Sequence, residues 1–216
     1  VLRVTAPPRI LVIAGSDSSG GAGIQADIKT ITLLGGYAMT AITAITAQNT
    51  QGVIAIEPLG AAIVGAQIDA CLADIGADAV KIGMLGGADA ARVVADRLAD
   101  LAVPIVFDPV IVATSGARLA DRDTIDAFGR LMRLATLTTP NVAELAALGG
   151  DAAIAGLAPT YLAKWGDAPG ATVTDRLVIA GREAARWSAP RIETRHTHGT
   201  GCTLSGAIAT LLGAGA

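Results

Sequence analysis

Ile10 to Ala14 is an uninterrupted apolar run that stops at Gly15. Beyond it, Ile24, Ile28, Ile31 and Leu34 recur at helical spacing. This predicts a strand, a glycine-rich loop and a helix over Gly23 to Leu34. The alternation recurs, with strands over Ala79 to Ile82, Pro104 to Phe107 and Leu134 to Thr138, and helices over Ala88 to Leu101 and Asp121 to Leu131. Tyr37 to Thr46 and Val53 to Ile56 are rich in Thr and Ile and read as extended, and Ile63 to Ile75 has helical spacing. A Gly, Pro and Asp cluster from Gly166 to Thr172 predicts a turn between Tyr161 to Lys164 and a strand over Val173 to Ile179. After that strand, Trp187 opens a loop toward His198. Cys202 to Leu212 is helical in character and puts Gly199, Thr200 and Gly201 at a helix N-terminus. Apolar strands alternating with helices predict a three-layer α/β/α fold around a mostly parallel sheet, with ligands gathered beyond the strands' carboxyl ends.

The 216 residues suit one domain spanning residues 1–216. With 52% hydrophobic, 16% charged and only 3% aromatic residues, the core must be built from Ala, Val, Ile and Leu. A net charge of -3 provides no basic field, which excludes nucleic acid and a polybasic membrane surface as partners and leaves small metabolites. The least charged stretch, Thr30 to Ala47, is broken by Gly35 and Gly36, so no membrane span is expected. Val1 to Pro8 has no secretory pattern, and the expected location is the cytoplasm. Two widely separated cysteines, Cys71 and Cys202, then read as free thiols.

Gly15 to Gly23 (GSDSSGGAG) joins the first strand to the first helix. It lacks the lysine of a P-loop, and no acidic residue follows at the distance a dinucleotide site needs, so the plain reading is a tight turn that lets a small ligand approach the backbone. The stronger signal is Thr197 to Ser205 (THGTGCTLS). Gly199 and Gly201 precede a helix whose free N–H groups form an anion site, suited to a phosphoryl group in transfer. Cys202 in that first turn is either a small buried hydrophobe or a thiol of lowered pKa able to accept a hydroxyl proton. His196, His198 and Cys202 lack a fourth ligand for zinc, and both histidines read as loop residues. Asp108 ends a strand, where active-site carboxylates gather. Asn141 and Glu144 match a capping box first, and hard oxygen ligands for magnesium second. Lys164 ends a predicted strand and is either a solvated lysine or a charge for nucleotide phosphates; Lys81 is placed similarly but carries less information.

Six ordered segments resemble the hydroxymethylpyrimidine and phosphomethylpyrimidine kinases of thiamine biosynthesis, which have the ribokinase-like fold. They are Ala14 to Thr30 (AGSDSSGGAGIQADIKT), Thr43 to Val53 (TAITAQNTQGV), Lys81 to Leu85 (KIGML), Asp108 to Gly116 (DPVIVATSG), Thr139 to Leu145 (TPNVAEL) and Ser188 to Ser205 (SAPRIETRHTHGTGCTLS). The resemblance implies phosphorylation of the hydroxymethyl group and then of the monophosphate, with ATP and Mg2+. Gln48 and Asp27 would bind the aminopyrimidine, and Gly15 and Met84 would line its pocket. It casts Cys202 as the base with Gly199 and Gly201 as the anion hole, Asp108 and Glu144 at magnesium, and Lys164, with Asn141 nearby, at the nucleotide. It also implies a homodimer. Two departures are the short stretch from Leu148 to Tyr161 and the family's helices expected after Ala216. Lys164-Trp165-Gly166 also stands where the family usually has Lys-Gly-Gly. Pyridoxal kinase activity is the enzymatic alternative, and a non-catalytic pyrimidine sensor the binding one.

Overall fold

The computed structural model describes residues 6–112, 119–166, 169–194 and 196–216. Residues 113–116 of the DPVIVATSG segment and residues 167–168 of the expected turn lie outside them. Sixteen elements follow in the order β1 Arg9–Asp17, α1 Gly23–Leu33, β2 Tyr37–Asn49, β3 Gly52–Pro58, α2 Ala61–Asp74, β4 Ala79–Ile82, α3 Ala88–Leu98, β5 Ile105–Phe107, α4 Arg122–Leu134, β6 Leu137–Thr138, α5 Val142–Ala147, α6 Gly150–Ala155, β7 Thr160–Ala163, β8 Thr172–Ile179, β9 Arg182–Pro190 and α7 Thr200–Gly213. The expected three-layer arrangement is present.

One nine-stranded sheet has the order β3-β2-β1-β4-β5-β6-β7-β8-β9. Its six central strands, β2 to β7 in space, pair in parallel, while β3 and the β8–β9 hairpin are antiparallel additions at the two ends. Alternate residues of β1 serve the two faces. Leu11 and Ile13 join Val80, Ile82 and Phe107 under α2, α3 and α4, while Ile10, Val12 and Ala14 pack with Ile24, Ile31 and Ala209 under α1 and α7. The chain turns back at β1, whose neighbours are β2 on one side and β4 on the other, so a crevice opens beyond the carboxyl ends of β1 and β4.

Three boundaries differ from expectation. β1 continues past Gly15 to Asp17, because its register beside β2 slips between Ala14 and Ser16 and the strand bends rather than stops. Leu134 ends α4, leaving β6 only Leu137 and Thr138. Trp187 lies in β9, paired opposite Asp175, rather than in a loop. That hairpin is a sheet edge with almost no buried face, so β9 has no alternation of apolar and polar residues to read. The short stretch from Leu148 to Tyr161 holds the six-residue α6 and the start of β7.

Candidate active site

The sheet's carboxyl ends and the start of α7 enclose a cavity of about 280 Å³. One wall carries Gly15, Gln48 and Met84, and the opposite end carries Asp108, Asn141, Glu144 and Lys164. Gly199, Gly201 and Cys202 lie between the two groups. Ten of the eleven residues singled out by sequence therefore border one space. The exception is Asp27, which is fully buried behind the wall, where its Oδ2 accepts from Lys81 Nζ at 2.8 Å. Lys81, which carried less information in the sequence than Lys164, lines the cavity in place of Asp27. A charged residue inside an apolar strand, facing α1, was the signal available for it.

Close packing of the glycine-rich loop on the start of α7 shapes the middle of the site. Asp17, 2% exposed, accepts from the backbone of Ser19, Gly21 and Ala22, from the Ser19 hydroxyl, and from His198 Nε2 at 2.8 Å. Burial alone would raise its pKa, but the bonds from His198 and Ser19 hold it below the usual carboxylate range. His198 is thus a structural partner as well as a loop residue. Gly199 caps α7 with φ 80°, and a Cβ there would stand 1.8 Å from the Gly21 carbonyl oxygen. A Cβ on Gly201 would meet only Lys164 Nζ at 3.4 Å and Asp108 Oδ2 at 3.5 Å, which are ordinary contacts. Gly199→Ala should therefore cost about 3 kcal/mol and roughly 6–12 °C of melting temperature. Gly201→Ala should melt within a few degrees of the native protein while losing phosphoryl transfer, because its methyl group would enter the cavity beside Lys164 Nζ and Asp108 Oδ2. Calorimetry and turnover measured on both variants test this.

Asp108 leaves β5 directly, with its N–H on the Ile82 carbonyl. Its Oδ1 accepts from Thr139 Oγ1 at 2.8 Å and Lys164 Nζ at 2.9 Å, and among the described residues Oδ2 has only a 3.5 Å contact to Ser205. Burial pushes its pKa up, but Lys164 and Lys81 outweigh it and hold the carboxyl ionised. Asn141 and Glu144 do form the capping box of α5, each side chain accepting the other's backbone N–H at 2.8 Å, and both also border the cavity. Burial, then the Asp108 charge, pushes Glu144 up to about 7.

The sign of that shift fixes a pH effect. A carboxyl raised on folding binds more protons in the native state, so its contribution is intact below the unfolded pKa of about 4.3 and is lost as pH rises toward 7. Glu144→Gln, which keeps the cap, should be more stable than the native protein by a margin that grows from about pH 5 to pH 7 and then levels. Urea titrations without metal across that range would show it, and a constant margin would contradict it.

The thiol corrects one expectation. Cys202 stands in the first turn of α7, yet burial, with the charges of Asp27 and Asp108, outweighs Lys81 and the Gly23 backbone bond and pushes its pKa up rather than down. Among the described residues no group of three or more His, Cys, Asp and Glu side chains could hold a metal. None of their helices is long and apolar enough to cross a membrane.

An anion-binding helix start, a buried carboxylate beside a lysine, and a switch-point crevice in a mostly parallel sheet define a small-molecule phosphotransferase. The family model for phosphomethylpyrimidine kinase matches residues 17–216, and the chain belongs to that family. The hydroxymethylpyrimidine/phosphomethylpyrimidine kinase of Rhizobium meliloti is 48% identical over 95% of this chain and 82% of its own length. The multifunctional thiamine biosynthesis protein of Corynebacterium efficiens is 41% identical over 99% of the chain, which spans only 31% of that longer protein. Among solved structures, the Clostridium difficile phosphomethylpyrimidine kinase superposes with a TM-score of 0.82 at 36% identity, covering 97% of this chain and 92% of that one. The Bacillus subtilis pyridoxal kinase in its ADP complex gives 0.88 at 32%, covering 98% and 86%. The fold is therefore ribokinase-like.

Proposed function

We propose that the chain phosphorylates the hydroxymethyl group of 4-amino-5-hydroxymethyl-2-methylpyrimidine, and then the resulting monophosphate, with ATP as donor. The carrying observation is a single cavity in which the α7 N-terminus and Cys202 separate a small, partly apolar wall from a charged one. Gly15 keeps the first wall shallow, since a Cβ there would come 2.2 Å from Met84 Cε, and the pyrimidine lies against that methionine. Gln48, whose Oε1 accepts from Thr46 Oγ1 at 3.0 Å, retains its amide N–H groups for a ring nitrogen. Asp27 acts on the substrate end from behind, through Lys81.

The phosphates of ATP lie toward Lys164, with Asn141 at the same end. The backbone N–H groups after Gly199 and Gly201 stabilise the charge on the transferring group more strongly as it develops. Asp108 and Glu144 fit magnesium, because Asp108 Oδ2 is nearly free of partners and two carboxylates are what this ion takes when phosphates and water complete its shell. When bound, it would neutralise phosphate charge. Cys202 accepts the hydroxyl proton. The enzyme is placed in the cytoplasm as a homodimer; apolar Ile45 and Ile54, 52% and 78% exposed near the β3 edge, support a self-contact.

The test is incubation with ATP, magnesium and the hydroxymethylpyrimidine, with pyridoxal in parallel, and identification of products by mass. Pyrimidine mono- and diphosphate are expected. Pyridoxal phosphate alone would favour the vitamin B6 reading, which rests on the close superposition with the Bacillus subtilis pyridoxal kinase. Pyrimidine binding without any product would reduce the protein to a binding module.

A further inference from the structure

Lys81 enters the reading above only as the group through which Asp27 acts, yet it is the most deeply placed charge in the site. It sits in β4 between Val80 and Ile82, and its side chain and that of Asp27 are both 0% exposed. A lysine ammonium has three donors, and among the described residues Asp27 Oδ2 is its one hydrogen-bond partner. Burying such a charge half-satisfied is costly unless its other side has work to do. Two further details turn that side toward the cavity. Lys81 borders the cavity, and Gly83 keeps space open beside it, since a Cβ there would come 2.9 Å from Nζ.

Four charged groups act on Cys202: Lys81 from β4, Asp27 from α1, Asp108 after β5 and Lys164 after β7. Lys164 is committed to Asp108, and Asp27 to Lys81. Lys81 borders the same cavity as Cys202 and is the largest of the charge effects on the thiol, acting with Lys164 and the Gly23 backbone bond against its burial.

We infer that Lys81 is a positioning residue for the proton acceptor: Asp27 fixes it through one N–H, and its remaining donors hold negative charge at Cys202. This rests on the reading of Cys202 as base. The thiol first gives its proton to solvent, and the thiolate is held by the Lys81 ammonium. It then takes the proton of the substrate hydroxyl as that oxygen bonds to phosphorus and the bond from phosphorus to the nucleoside diphosphate breaks. Lys81 stays protonated throughout, and Cys202 ends as the thiol.

The experiment is alkylation of the whole protein by iodoacetamide across pH 6 to 10, with Cys202 followed by peptide mass so that Cys71 is counted separately. Lys81→Met alone would strand a buried carboxylate, so the variant is Lys81→Met with Asp27→Asn, which removes both charges together. Lys81→Leu with Asp27→Leu carries the same test should that pair not fold. The midpoint for Cys202 should move up by at least one pH unit, a tenfold loss of reactivity below it, and Lys81→Arg should restore most of the shift. An unmoved midpoint in a folded neutral pair, or a shift in Lys81→Arg as large as in the neutral pair, overturns the inference. Alkylation needs no turnover, so the base reading fails separately, if Cys202→Ala keeps its phosphoryl transfer.

Discussion

Cys202→Ala should lower turnover about 1000-fold and leave pyrimidine affinity within a factor of two or three. A positioned base contributes roughly 10²- to 10⁴-fold, and 1000-fold corresponds to about 4 kcal/mol of barrier. The residue stands at the first turn of α7 between the two halves of the cavity, so removing its sulfur changes the reacting centre and leaves the Gln48 and Met84 wall in place. Because burial holds the thiol above its usual pKa, turnover in the native protein should climb with pH up to that value. The alanine variant should lose that limb of the profile. Steady-state kinetics with calorimetric titration of the pyrimidine separate the two effects, and a variant that turns over normally would remove the thiol from the reaction.

Asp108→Asn should reduce turnover about 100-fold or more and weaken the response to added magnesium, because the nearly unpartnered Oδ2 is the atom that changes character. Asparagine keeps an oxygen for Thr139, so the loss of charge is isolated from the loss of shape. Lys164, whose partner at Oδ1 becomes a neutral amide oxygen, then has Glu144 as its remaining carboxylate. Since Asp108 pushes Glu144 up and Lys164 draws it down, the variant's Glu144 should titrate below the native value of about 7. Magnesium-dependence curves and a titration of stability against pH would register both changes. An Asp108→Asn variant with native turnover would move the metal elsewhere.

Most of the site could be read from the chain because its residues sit at changes of local pattern. Asp108 follows the apolar β5, Asn141 and Glu144 open a capped helix, and Gly199 to Cys202 start α7. The half with Gly15, Gln48 and Met84 had a weaker signal. Gln48 lies near the end of a long strand, and nothing in its neighbours announces a binding amide, so family resemblance supplied it. Asp27 and Lys81 stand 54 positions apart, and only tertiary packing shows that one is held by the other behind the wall. The direction of the Cys202 shift was misread because a helix start is visible in sequence, whereas depth of burial is not. In the fold, the buried strands were legible from their apolar runs. β9 was missed because an edge hairpin with both faces wet carries no pattern.

The contact between Asp17 and His198 joins positions 181 residues apart, and Gly199 meets Gly21 in the same place. A chain emerging from the ribosome makes its amino-terminal half first. It can complete the pairing of β1 with β2 early, but it holds the glycine-rich loop without its counterpart until α7 has been made. Within residues 1–216, the corner where the glycine-rich loop meets the start of α7 is therefore completed late. Chains halted before residue 198 would carry the Gly15, Gln48 and Met84 wall without the helix start that closes the cavity beside it.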